Sequence, residues 1–212
     1  MGPAIIGTKK ITACLPIGTL QELAGLDAYF AAESRRAKSL PMARTDGLTR
    51  REAAARRTLW EQQKVQLRRQ GQLVDSRRAL VIAALVKVIA QRGWERLDWR
   101  SVPGQTRGRW VGSPEGAWPE TLTVELPIDL VWTVLAGCLD VSRPATDELY
   151  KWHERNPRAH PNRPVRPRCS PAELAEYHSL ASEVLTLGQV WRDAVRAGID
   201  TAIVARPGSR LG

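Results

Sequence analysis

The chain has 212 residues, 43% of them hydrophobic, and its 32 Lys and Arg against 22 Asp and Glu give a formal charge of +10. Such a length and apolar content sustain a buried core and exclude a wholly disordered chain. The positive residues are mostly arginine, which suits phosphate recognition, although a GC-rich coding sequence also enriches arginine.

Cys14, Cys138 and Cys169 are widely separated with no CxxC, which argues against a disulfide scaffold and for a reducing compartment. The opening residues lack the basic flank, apolar run and small-residue cleavage site of a signal peptide, and Gly2 lacks the Ser or Thr of a myristoylation pattern. A cytoplasmic location with no membrane partner is therefore expected.

In chain order, MGPAIIGTKKITACLPIG offers short apolar runs broken by Gly and Pro, which fit one or two small strands or an extended arm. A helix is expected over Leu20 to Ala37, with Leu23, Leu26, Tyr29 and Phe30 on one face and Arg35, Arg36 and Lys38 at its end, where cations complement the helix dipole. Thr49 followed by Glu52 is a capping-box pattern opening a polar helix through Trp60 to Arg69, with Ala53, Trp60 and Leu67 as a thin seam. Gly71 suits a C-terminal cap, and Asp75 or Ser76 caps the next helix.

That next stretch, Asp75 to Gln91, is the longest apolar run: from Leu80 to Ala90 only Lys87 is charged. It falls well short of the roughly 20 residues a membrane-spanning helix needs, so it must be buried in protein. Its Val and Ile also fit a central strand, but its length and alanines favour a helix, packed with the basic helix before it as an antiparallel hairpin.

Gly93 ends this helix, and Trp94, Leu97 and Trp99 follow. The stretch 103–120 is rich in Gly and Pro and carries Arg107, Arg109, Trp110 and Trp118, the composition of a loop. Arginine beside tryptophan permits a base to stack on the indole while the guanidinium holds the backbone; equally, the tryptophans pin a long loop to the core. TLTVELP alternates as a half-buried strand, with Leu122, Val124 and Leu126 on one face and Thr121, Thr123 and Glu125 on the other. A short helix is expected from Ile128 to Leu139, a turn at Asp140 to Ser142, and a second helix from Arg143 or Pro144, ended by Asn156 and Pro157. NPRAHPNRPVRPRC suits an extended surface segment bearing Arg158, Arg163, Arg166 and Arg168. SPAE at Ser170 opens a final helix whose stripe runs to Gly198, leaving a short strand or loose tail from Asp200.

Positive charge gathers in two places. Between residues 35 and 69, 11 Lys and Arg oppose three acids, Asp46, Glu52 and Glu61; the Arg-Pro stretch 158–168 has none. Arg50, Arg51, Arg56, Arg57, Lys64, Arg68 and Arg69 are thus candidates for phosphate contact, unless they form a solvated helix face or meet an acidic protein partner.

Residues LTVELP, IDLVWTVLAGCLD and VSRPATDELYKWH resemble the ribbon-helix-helix family. The resemblance implies strands of two chains paired into a ribbon in the major groove, with Thr121, Thr123 and Glu125 as the readers. REAAARRTLWEQQKVQLRRQGQLVDSRRA, Arg51 to Ala79, resembles the helix and GxLV turn that follow the DNA-binding domain of phage small terminase subunits of the lambda type. Such proteins recognise packaging-site DNA, oligomerise and recruit a motor subunit. Residues 1–48 contain no convincing helix-turn-helix, so this likeness extends only to the oligomerising or linking part.

Signals for catalysis are sparse. His153, His160, His178 and Cys169 lack the pair spacing of a structural zinc site, and there is no P-loop, dinucleotide fingerprint, GxSxG or HExxH. Asp129, Asp147 and Glu148 are conceivable nuclease carboxylates, without an ExK pattern to fix them. The expectation is a mainly α protein with a minor β component, a helical hairpin plus a strand-helix-helix segment. Its parts would be a helical N-terminal region (1–102), a Gly/Pro/Trp loop (103–120) and a C-terminal region (121–212). It would bind double-stranded DNA without catalysis, cofactor or metal, as a homo-oligomer, in phage or plasmid DNA handling or transcriptional control. A structural or assembly protein of phage head or adaptor type is the alternative, and a nuclease-like enzyme the third.

Overall fold

In the computed structural model, which describes residues 7–97, 118–159 and 169–205, the chain is mainly helical with one two-stranded ribbon. Helix α4, Arg77–Gln91, is the element that the others cover. The Ser76 hydroxyl accepts from the Ala79 amide at 3.2 Å and starts it. Leu80, Val81, Ile82, Ala84, Leu85 and Ile89 are all buried, on more than one side of the helix, so a single neighbour does not satisfy it.

Helix α3, Arg50–Arg69, precedes α4 as the expected hairpin arm. The Thr49 hydroxyl accepts from the Glu52 amide while the Glu52 carboxylate accepts from the Thr49 amide at 2.9 Å, completing the capping box. Gly71, at φ +70°, turns the chain out of α3, and the Gln72 amide returns to the Leu67 carbonyl at 2.8 Å.

Strand β1, Thr8–Leu15, pairs antiparallel with β2, Glu120–Pro127, in the register Lys10 to Glu125 and Thr12 to Thr123. The predicted alternation of β2 holds, with Leu122 and Leu126 buried and Thr121, Thr123 and Glu125 outward. Ala13, Leu15, Leu122 and Leu126 share a core with Val81 of α4 and with Trp191 and Val195 of α7, Leu187–Ala205. Residues on both sides of the 103–120 stretch thus interleave in one core. Glu120 ties the ribbon to the next helix: its carboxylate accepts from the Gly18 and Leu20 amides, each at 2.7 Å.

Four expectations are corrected. The helix expected over Leu20 to Ala37 is two, α1 (Thr19–Ala24) and α2 (Asp27–Ser39), divided at Gly25; the division lets Leu23, Leu26 and Phe30 all reach the core. The two helices expected after β2 are one, α5, Ile128–Arg155, which runs through Pro144. Its buried stripe of Val131, Val134, Cys138, Ser142, Ala145, Leu149 and Trp152 crosses the expected turn at unbroken helical spacing, and that continuous burial outweighs the backbone bond which proline cannot donate. Ser142, inside α5, bonds across to the α6–α7 connection: its hydroxyl donates to the Leu185 carbonyl at 3.3 Å and accepts from the Leu185 amide at 2.9 Å. That clamp holds the turn responsible for the third difference, the division of the last helix into α6, Pro171–Ser182, against α5, and α7, against α4. Ser170 and Glu173 form the predicted capping box of α6. The expected tail from Asp200 is helical to Ala205, because Ala202 is still buried there.

Close packing on α5 makes two outcomes measurable. A Cβ at Gly137 would collide with the buried indole of Trp94, so Gly137→Ala should destabilise the fold by about 1–3 kcal/mol in urea unfolding. Beside it, burial pushes the Cys138 thiol from its ordinary 9.0 up to about 12. Between those values the folded chain keeps a proton that the unfolded chain has lost, so this group's contribution to stability falls as pH rises through the window. At pH 8 an Ellman titration should modify exposed Cys14 and leave buried Cys138 unreacted until denaturant is added.

Candidate nucleic-acid interface

The small cluster of Ala37, Trp60 and Leu73, with Leu40, Ala43 and Leu67 against it, packs the end of α2 onto the middle of α3. Arg35 and Lys38, flanking Ala37, are exposed, as are Arg44, Arg50, Arg51, Arg56 and Arg57. None of these cations forms an ion pair with a described residue. The nearby acids are mostly engaged: Glu33 is bidentate to Arg36 at 3.0 and 2.6 Å, Glu61 holds Lys64 at 2.6 Å, and Glu52 is bound to its cap. The Thr49 donors hold the Glu52 carboxyl below its ordinary range. Over residues 50–59 of α3 only Ala53 is even partly buried, so this half stands out from the body.

The other half of α3 differs. Arg68 is bidentate to Asp75 at 3.0 and 2.7 Å, and Arg69 bonds Asp129 of α5 at 2.9 Å. Lys64, besides its ion pair, lies over the Trp60 ring at 5.9 Å. These three of the seven α3 candidates have internal partners, so Arg50, Arg51, Arg56 and Arg57 form the free set.

Thr121 and Thr123 lie on the outward face of the ribbon, where Thr123 bonds Thr12 between hydroxyls at 3.0 Å. The strand partner of β2 is β1 of the same chain. Arg158 is exposed just beyond α5. Arg107, Arg109, Arg163, Arg166, Arg168, Trp99, Trp110 and His160 lie outside the described residues. Trp94 is buried, and Trp118 is capped by the Arg192 guanidinium 4.0 Å from its ring centre.

The conceivable carboxylate site does not assemble. Asp129 and Asp147 sit on one helix, α5, about 27 Å apart along its length at 1.5 Å per residue. His153 and His178 each pack edge-on to Tyr177, with ring centres 5.9 and 5.7 Å from it. Among the described residues no three His, Cys, Asp or Glu side chains group as metal ligands, and no helix is long and apolar enough to cross a membrane.

A separate groove of about 480 Å³ runs between α4 and α7, walled by Ala83, Ala90, Gly198, Thr201 and Ala205, with Gly71 from the hairpin turn. Sequence reading missed this groove, whose only signal is the run of small residues along α7, and it missed Glu120 and Ser142, whose partners are about a hundred and 43 residues away. No family model matches the chain, and neither a curated protein nor a solved structure matches it.

Proposed function

We propose that the chain is a non-catalytic binder of double-stranded nucleic acid, serving DNA handling of the phage or plasmid kind or transcriptional control. The observation that carries the reading is the set Arg50, Arg51, Arg56 and Arg57, exposed on a projecting helix and without carboxylate partners among the described residues, with Arg35 and Lys38 exposed on α2, whose Ala37 packs on Trp60. Guanidinium groups held apart from acids neutralise phosphates and release condensed counterions, which yields affinity that depends on salt more than on sequence. The likeness of Arg51 to Ala79 to the part of phage small terminase subunits that follows the DNA-binding domain would instead give the α3–α4 hairpin a linking or oligomerising role.

A second reading, an assembly protein, draws on the small-residue groove between α4 and α7, where a partner helix would approach closely. The two readings separate in one experiment. With six phosphates neutralised, duplex affinity should fall by about 10³ between 50 and 200 mM salt. Replacing Arg56 and Arg57 with Gln should flatten the log-log salt slope by about two, while Arg69→Gln should leave it unchanged, since Asp129 already holds that cation. Fluorescence anisotropy over a salt series reads both. A slope indifferent to Arg56 and Arg57 favours the assembly reading.

A further inference from the structure

The groove between α4 and α7 owes its volume to short side chains. Gly198 lets Leu80 and Ala84 approach α7, since a Cβ there would collide with Leu80, and the two helices meet closely at that point. The positions lining the groove beyond it include Ala83 and Ala90 on α4 and Ala197 and Ala205 on α7, which are too short to fill the space. Tyr29 of α2 and Gly71 of the hairpin turn border it as well. Its volume of about 480 Å³ falls within the range of about 300–1,000 Å³ in which small ligands are held. One turn of a helix, 5.4 Å high and 10–12 Å across, occupies about 400–600 Å³, so a partner helix would seat only about a single turn here.

Charge on this lining has one sign. The charged side chains along it are Arg69 and Lys87, and neither Asp nor Glu lines it. Arg69 is bound to Asp129 through a terminal nitrogen, while its Nε, although buried, has no hydrogen-bond partner among the described residues. Lys87 is exposed and forms no ion pair with a described residue. With Asp129 set against Arg69, one net positive charge remains, that of Lys87. A lone cation beside apolar surface attracts a singly charged anion with an apolar body.

We propose that this groove binds a small amphiphile with a single carboxylate, of the medium-chain fatty acid class. The apolar chain lies along Ala84, Gly198 and Ala202, and the carboxylate pairs with Lys87 beside Arg69. The site is independent of the duplex-binding reading.

The test is isothermal titration calorimetry of the full chain with hexanoate, octanoate, decanoate and decylammonium, each below its micelle-forming concentration. One site per chain is expected, with affinity rising about three- to fourfold per methylene, as burial of each CH₂ requires, and decylammonium at least about tenfold weaker than decanoate. Thr201→Trp, at an exposed position lining the groove, should weaken decanoate binding about tenfold or more by filling the space, with the unfolding temperature unchanged. Lys87→Glu should reverse the order of decanoate and decylammonium, an exchange of preference that loss of structure would not produce. Equal affinity for decanoate and decylammonium, a Thr201→Trp protein that binds decanoate like the parent, or no saturable binding would each overturn the site. If decanoate fails to bind while Thr201→Trp lowers the molar mass read by light scattering, the groove seats a second copy of the chain, and the ligand assignment is overturned.

Discussion

Helix α4 is buried on more than one side, with Lys87 and Gln91 at its solvent side, and covering it takes α3, α5, α7 and the ribbon together. Contact is closest against α7, where the Leu80 side chain occupies the space that a Cβ on Gly198 would need. Apolar surface removed from water drives this assembly at roughly 25 cal/mol per Å², and the stabilisation is concentrated where α4 is enclosed. Elements contribute to it only along the length that reaches α4 or its neighbours. Helix α3 is longer than the contact it makes, and its first half extends beyond the core it helps to close.

The pairing of the arginines follows from that geometry. Near the body a cation loses water, and one that stays there requires a carboxylate close by: Arg68 has Asp75, itself only 10% exposed in its side chain, and Arg69 has Asp129. Further out on α3 no such requirement exists. Arg50, Arg51, Arg56 and Arg57 are exposed and keep their hydration, and no described acid pairs with them. A uniform arginine bias in composition accounts for the number of cations but not for this gradient, in which the charges closest to the core are neutralised and the outer ones are left available.

Local chemistry was the legible part of the chain. The capping boxes at Thr49 and Ser170, the turn at Gly71, the alternation of Leu122, Val124 and Leu126 and the continuous apolarity of α4 are each decided by residues within one or two turns, and each stands where the sequence places it. The errors lie where distant contacts override a local signal. Asp140 to Pro144 has the composition of a turn, yet the buried stripe through Ser142 and the clamp from Leu185 carry α5 straight through it. The apolar stripe from Leu174 to Val195 is periodic across a real break, because α6 and α7 bury successive parts of it against different helices. For the interface, the excess of positive charge was readable, but the division between free and paired cations was not, since the Arg69 to Asp129 pair spans 60 residues.

What keeps the outer half of α3 helical also bears on its role. With little tertiary packing there, the conformation rests on the capping box and on Ala53, Ala54 and Ala55, residues of high helix propensity. Against these stand Arg50 and Arg51 in the first turn, where the positive end of the helix dipole disfavours a cation by about 0.3–1 kcal/mol. Among the described residues the one acid that lies beside them in the first turn is Glu52, which is already bound to its cap. On the proposed nucleic-acid-binding reading, a polyanion laid against the arm would relieve both unfavourable charges at once.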